Sequence, residues 1–295
     1  VAYANDTVGN TASYRIILTV DNTPPSVTIT SPANNSVVGG VVSICVSSSD
    51  PHNDTTWLVI GGELKASWPG AGDFTYSWNT SGLLDGDYEV VAYANDTVGN
   101  TASYRIILTV DNTPPTVVIT SPANNSVVGG VVSICVSSSD PHNDTTWLVI
   151  GGELKASWPG AGDFTYSWNT SGLLDGDYEV VAYANDTVGN TASYRIILTV
   201  DNTPPSVTIT SPANNSVVGG VVSICVSSSD PHNDTTWLVI GGELKASWPG
   251  AGDFTYSWNT SGLLDGDYEV VAYANDTVGN TASYRIILTV DNTPP

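Results

Sequence analysis

The sequence predicts an all-β protein, a tandem array of β-sandwich modules of 90 residues joined by short Pro-Pro linkers. Three observations predict it: a near-perfect internal repeat, short apolar-polar alternations separated by turn residues, and no window with a helical period. Residues 23–112, 113–202 and 203–292 are three copies of one unit. The first and third copies are identical, and the second differs only at Thr116 and Val118, where the others have Ser26 and Thr28, or Ser206 and Thr208. A 90-residue unit is long enough to close its own core, unlike the 20–50-residue repeats that must stack on their neighbours.

Each strand follows from alternation. SVTIT (26–30) sets Val27 and Ile29 on one face and Ser26, Thr28 and Thr30 on the other, so both substituted positions fall on the outward face. In VVSICVSSSD the inward residues are Val42, Ile44 and Val46; in TWLVI they are Leu58 and Ile60; in FTYSW they are Phe74, Tyr76 and Trp78. YEVVAYA turns Tyr88, Val90, Ala92 and Ala94 inward, and YRIILTV turns Tyr104, Ile106, Leu108 and Val110 inward. Gly39-Gly40, Asp50-Pro51, Gly61-Gly62, Trp68-Pro69-Gly70, Asp85-Gly86 and Gly99-Asn100 break the runs. About seven short strands at this spacing read as a sandwich.

Residues 1–22 repeat the closing segment of every unit, so they read as the last two strands of a truncated preceding module. Residues 293–295 read as the start of the next linker. The connection VDNTPP leaves little slack, because consecutive prolines fix φ near −65° and extend the residue before them. A semi-rigid rod is expected, at about 35–45 Å per module.

Composition bounds the function. Charged residues are only 12% of the chain, and 7 basic against 29 acidic side chains give a net charge of −22. That sign argues against nucleic acid and anionic membranes as partners. No apolar stretch is long enough to span a membrane, and no signal peptide or initiator Met is present.

The stretches TPPSVTITSPANNSVVGG, VVSICVSSSD and NTSGLLDGDYEVVAYANDTVGN, with a last strand ending in VDN, resemble the bacterial and archaeal Ig-like domains found in tandem in cell-surface proteins. The resemblance covers every unit. It implies Ig-like sandwiches and an extracellular, cell-surface setting, with Tyr88 at the position of a tyrosine corner. The chain departs from antibody-type domains in lacking an intersheet disulfide, since Val90 stands opposite Cys45.

Four features could carry chemistry. Asp50, Asn53, Asp54, Asp96 and Asp111 are loop and linker oxygens that could bind calcium, against the reading that they are ordinary turn and cap residues. Twelve N-x-S/T sequons are glycosylation candidates: Asn34, Asn53, Asn79 and Asn95, with Asn124, Asn143, Asn169 and Asn185, and Asn214, Asn233, Asn259 and Asn275. Cys45, Cys135 and Cys225 lie a module apart and so cannot bridge within an extended chain; they are either interchain thiols or half-buried free thiols. Trp57 and Trp68 fall outside the inward pattern, so they either stack on a sugar or cover the core's ends. His52 has no recognisable partner in the sequence, and no nucleophile elbow, phosphate loop or zinc spacing occurs, so no enzyme is expected. Two readings remain. The first is a structural fibre, filament or stalk whose partners are copies of the chain. The second is an adhesin or carbohydrate-binding array in which identical sites add avidity.

Overall fold

The computed structural model describes residues 1–294, and all of its regular structure is β. Residues 1–22 form a short antiparallel hairpin, β1 (Ala2–Asn5) with β2 (Thr11–Tyr14), whose side chains are all exposed. The first full repeat contributes β3 (Ser26–Ser31), β4 (Ser36–Val38), β5 (Val41–Ser49), β6 (Asn53–Ile60), β7 (Glu63–Pro69), β8 (Gly72–Asn79), β9 (Gly86–Asp96) and β10 (Thr101–Val110). They form a three-stranded sheet in the order β3-β5-β8 and a five-stranded sheet in the order β4-β10-β9-β6-β7. Every pairing is antiparallel except that of β4 with β10. The second and third repeats reproduce both sheets in the same order.

Three separate apolar cores follow, each drawn from one repeat. In the first, Ile44, Leu58, Val90, Ala92 and Leu108 have no exposed surface, and Trp78 closes one end against the edge of Tyr88. The Tyr88 hydroxyl donates to the Leu84 carbonyl at 3.0 Å, a tyrosine corner that pins the loop before β9. The chain nevertheless divides into two compact units by its internal contacts. One is Val1–Pro114 with Thr187–Asn190; the other is Pro115–Asp186 with Thr191 onward, and it holds two of the cores.

Three strand-level expectations change. There are eight strands per repeat rather than about seven: β4 and β7 arise where turns and loops are expected. β7 is a half-exposed edge strand with a register shift opposite Leu58 and Val59, so it shows no clean alternation, and it ends at Pro69, a residue sheets tolerate at their edges. Tyr104, expected inside, is 42% exposed. It stands opposite Ala92 on β10, and only the second half of that strand, Ile106 to Val110, alternates into the core.

Candidate functional site

The features with the most chemistry gather at the pole of a module where the linker enters. In the second compact unit, Asp201 of the linker is only 4% exposed. Its Oδ1 accepts from the Thr203 amide at 3.2 Å, and its Oδ2 lies 2.8 Å from Nδ1 of His232, which belongs to the loop after Val221–Ser229. Its carbonyl accepts from the Asn280 side chain at 3.2 Å. The His232 loop is itself held, since Asp230 Oδ1 accepts from the His232 amide at 2.6 Å. The linker is thus bonded to two different loops of the module it enters.

The preceding module meets this pole through Gly129. A Cβ built there would stand 2.9 Å from the Asp201 carbonyl and 3.2 Å from Cγ2 of Val278, so only glycine fits between linker and loop. The Val278–Asn280 loop keeps its shape through Asp276, which is 1% exposed and whose Oδ1 accepts from the amides of Val278, Gly279 and Asn280. The Val278–Asn280 loop therefore packs against the linker end of the preceding module. The same linker contacts recur in the first unit, where His52 Nδ1 lies 2.8 Å from Asp21 Oδ2 and Asn100 donates to the Asp21 carbonyl at 3.3 Å. The sequence alone does not show what His52 meets. Its partner lies 31 residues away, a separation that local motifs do not reveal.

Asp201, Asp230 and His232 each offer a ligand atom within 4.8 Å of the others, as do Asp21, Asp50 and His52. With Asp175, Thr203 and Pro231 the former three line a cleft of about 400 Å³. Two carboxylates and an imidazole form a mixed donor set, unlike the all-oxygen shell that calcium takes. Of the residues considered for calcium, Asp50 lies in the group with Asp21 and His52. Asn53 faces Thr56, its Nδ2 donating to Oγ1 at 3.3 Å, and Asp54 accepts from the Asn95 side chain at 3.3 Å. Asp96 closes its own turn by accepting from Val98 and Asn100, and Asp111 Oδ1 accepts from the Thr113 amide at 3.2 Å. Among the described residues, neither Asp54 nor Asp96 joins a three-donor group.

Electrostatics at the pole is dominated by carboxylates. Asp175 is held below the ordinary carboxylate range, first by the Thr203 hydroxyl, then by the Asn202 amide, with the His232 charge adding to both. Asp265 is lowered in the same way by Thr293 and Asn292. For Asp96, burial pushes the carboxyl up, but bonds from the Asn100 side chain and from the amides of Asn100, Val98 and Gly99 more than offset it.

The remaining candidates lie on the module flanks. Cys45, Cys135 and Cys225 are half-buried free thiols, each 3.8 Å from a threonine hydroxyl on the neighbouring strand. Trp57 stacks on Tyr93 at 5.2 Å across the outer face of the five-stranded sheet, and Trp68 stacks on Phe74 at 4.9 Å while packing against the core. The sequons divide by exposure: Asn34 and Asn79 are exposed, whereas Asn53 and Asn95 are half-buried.

Sandwich modules in tandem, each carrying a tyrosine corner and joined through bonded linkers, define the class as Ig-like repeats. The comparison with known families is more specific: the profile of the bacterial Ig-like domain (group 3) matches residues 72–154, 162–244 and 252–295, and that of the bacterial Ig domain matches 25–92. Since these matches cover more than half of the chain, it belongs to the bacterial Ig-like domain family. Among curated proteins it is similar to Halomucin of Haloquadratum walsbyi, at 24% identity over 92% of this chain, and it spans 4% of that protein's length. Among solved structures it is similar to an I-band fragment of titin, with TM-score 0.50 and 16% identity over 92% of this chain and 99% of that one. It is also similar to a tetra-tandem repeat from the extending region of a large adhesion protein, with TM-score 0.39 and 22% identity over 99% of this chain and 80% of that one. Among the described residues, no helix is long and apolar enough to cross a membrane.

Proposed function

We propose that this chain is a structural, non-enzymatic segment of an extracellular surface protein, a stalk or fibre element whose modules supply length and stiffness. The observation that carries the reading is the bonded linker. Asp201 engages Thr203, His232 and Asn280 together, so consecutive modules of the second unit are fixed by side chains as well as by proline. A tether evolved for free motion would leave its linker solvated and rich in Gly and Ser. Membership of the bacterial Ig-like family and the near-identity of the repeats support the same reading. Copies of the chain are the natural partners, and the outward-facing Cys45, Cys135 and Cys225 give each module one thiol for side-by-side association.

The adhesin reading is favoured by one feature, the aromatic pair repeated on each outer face as Trp57–Tyr93, Trp147–Tyr183 and Trp237–Tyr273. The two readings separate in a single experiment on the purified chain: sedimentation with and without reductant, alongside binding to an immobilised glycan array. A structural element associates through its thiols and shows no saturable glycan binding. Saturable binding by a monomeric chain, lost in Trp57→Ala, Trp147→Ala and Trp237→Ala together, would favour adhesion instead.

A further inference from the structure

We infer that each module presents two of its four sequons for N-glycosylation and withholds the other two: Asn34 and Asn79, with their repeats Asn124, Asn169, Asn214 and Asn259, carry the glycan. The inference goes beyond the mechanical reading and rests only on exposure of the chain to a glycosylating compartment. In N-glycosylation the side-chain nitrogen Nδ2 attacks the anomeric carbon of a polyisoprenyl-phosphate-activated glycan. The new C–N bond replaces the sugar–phosphate C–O bond, the lipid phosphate leaves, and one amide proton is lost. The amide oxygen is unchanged. A folded module therefore tolerates the modification only where Nδ2 faces solvent and the structural work is done by Oδ1.

The four positions divide on that criterion, and they divide alike in all three repeats. At Asn34, Asn124 and Asn214, Oδ1 accepts from the backbone amide of Ile107, Ile197 and Ile287, each at 2.8 Å, and the side chain is exposed. At Asn79, Asn169 and Asn259, Oδ1 accepts from the amide two residues on, Ser81, Ser171 and Ser261, each at 3.0 Å, and the residue is again exposed. Both turns are closed through the oxygen of an exposed residue, so a sugar on Nδ2 breaks neither bond.

The other two positions use the nitrogen. Asn53 donates through Nδ2 to Thr56, a side chain with no exposed surface, and the same bond recurs from Asn143 to Thr146 at 3.3 Å and from Asn233 to Thr236 at 3.4 Å. Asn95 Nδ2 donates twice, to Asp54 Oδ2 and to the Asp96 carbonyl, and Asn185 and Asn275 repeat both bonds. The oxygens of Asn53, Asn143, Asn185, Asn233 and Asn275 are already buried without a partner. Substituting the nitrogen there would disturb the hydrogen bonds these side chains make, one for the Asn53 class and two for the Asn95 class, and push a hydrated sugar into the end of the sandwich.

The test is site-resolved glycopeptide mass spectrometry on the full chain, secreted as folded protein from a host with N-glycosylation machinery and carrying an added C-terminal control sequon. The repeats are nearly identical, so occupancy is read by sequon class rather than by module. High occupancy is expected in the Asn34 and Asn79 classes, with at least tenfold lower occupancy in the Asn53 and Asn95 classes. Comparable occupancy in all four classes would overturn the inference, as would an unmodified chain whose control sequon is fully occupied. A second arm uses electrophoretic mobility of the full chain without the control sequon: Asn34→Gln and Asn79→Gln with their repeats abolish the glycan-dependent shift. Retention of the shift in that variant overturns the assignment even if Asn53 and Asn95 variants fold poorly.

Discussion

Leu238→Ala offers a direct probe of how independently the modules fold. Leu238 has no exposed surface and sits in the core of the third repeat among Ile224, Val270, Ala272 and Leu288. Removing its branched end loses transfer free energy and leaves a cavity between two sheets that cannot collapse without breaking their ladders, a loss of about 3–4 kcal/mol. For a domain of this size one kcal/mol moves Tm by roughly 4–8 °C, so the third repeat should melt about 12–30 °C early. The other two cores contain none of the affected residues. Differential scanning calorimetry should therefore resolve a low-temperature transition carrying about one third of the total enthalpy. The first repeat should stay at the parent temperature, with at most a few degrees lost from the second, which meets the third through Gly129 and Val278. Displacement of the entire endotherm as a single peak would refute the separate cores.

Three further outcomes are expected. Tyr178→Phe removes the hydroxyl that donates to the Leu174 carbonyl at 3.0 Å while keeping the ring against Trp168, so chemical denaturation should register a loss of about 0.5–1.5 kcal/mol; no loss would show that the corner is not structural. With 29 acidic and 7 basic side chains, the folded chain repels itself, so thermal stability should rise as salt shortens the Debye length from about 10 Å at 0.1 M to about 3 Å at 1 M. A fall in Tm over that range would contradict the charge argument. Asp175 and Asp265 have carboxyls lowered in the folded state, so the stability they add is full above the unfolded value near 4 and is lost as pH falls through their folded values. Acid titration of stability should steepen below about pH 4, and Asp175→Asn with Asp265→Asn should flatten that limb.

Much of this architecture is legible in the sequence because one face of each sheet is buried and alternation marks that face. Ile44 and Val46, or Ala92 and Ala94, announce themselves by position alone. Glu63–Pro69 does not, since an edge strand that is half exposed on both faces has no pattern to read. Tyr104 shows the converse limit, because alternation gives the face of a residue but not whether the opposing sheet reaches far enough to cover it. The linker pole was only partly visible. Asp50 and the linker aspartates are ordinary turn formers in sequence, and their meeting with His52 and His232 depends on how a linker lies against the module it enters. Likewise, the sequons look equivalent as letters, and only the hydrogen bonds distinguish the asparagines that use oxygen from those that use nitrogen.

Pulling a single chain from both ends tests the central claim most directly. Three sandwiches that close independently should give three force peaks, each releasing roughly 300 Å of contour for 90 residues. Two peaks with one release near twice that length, or extension without peaks, would contradict the account.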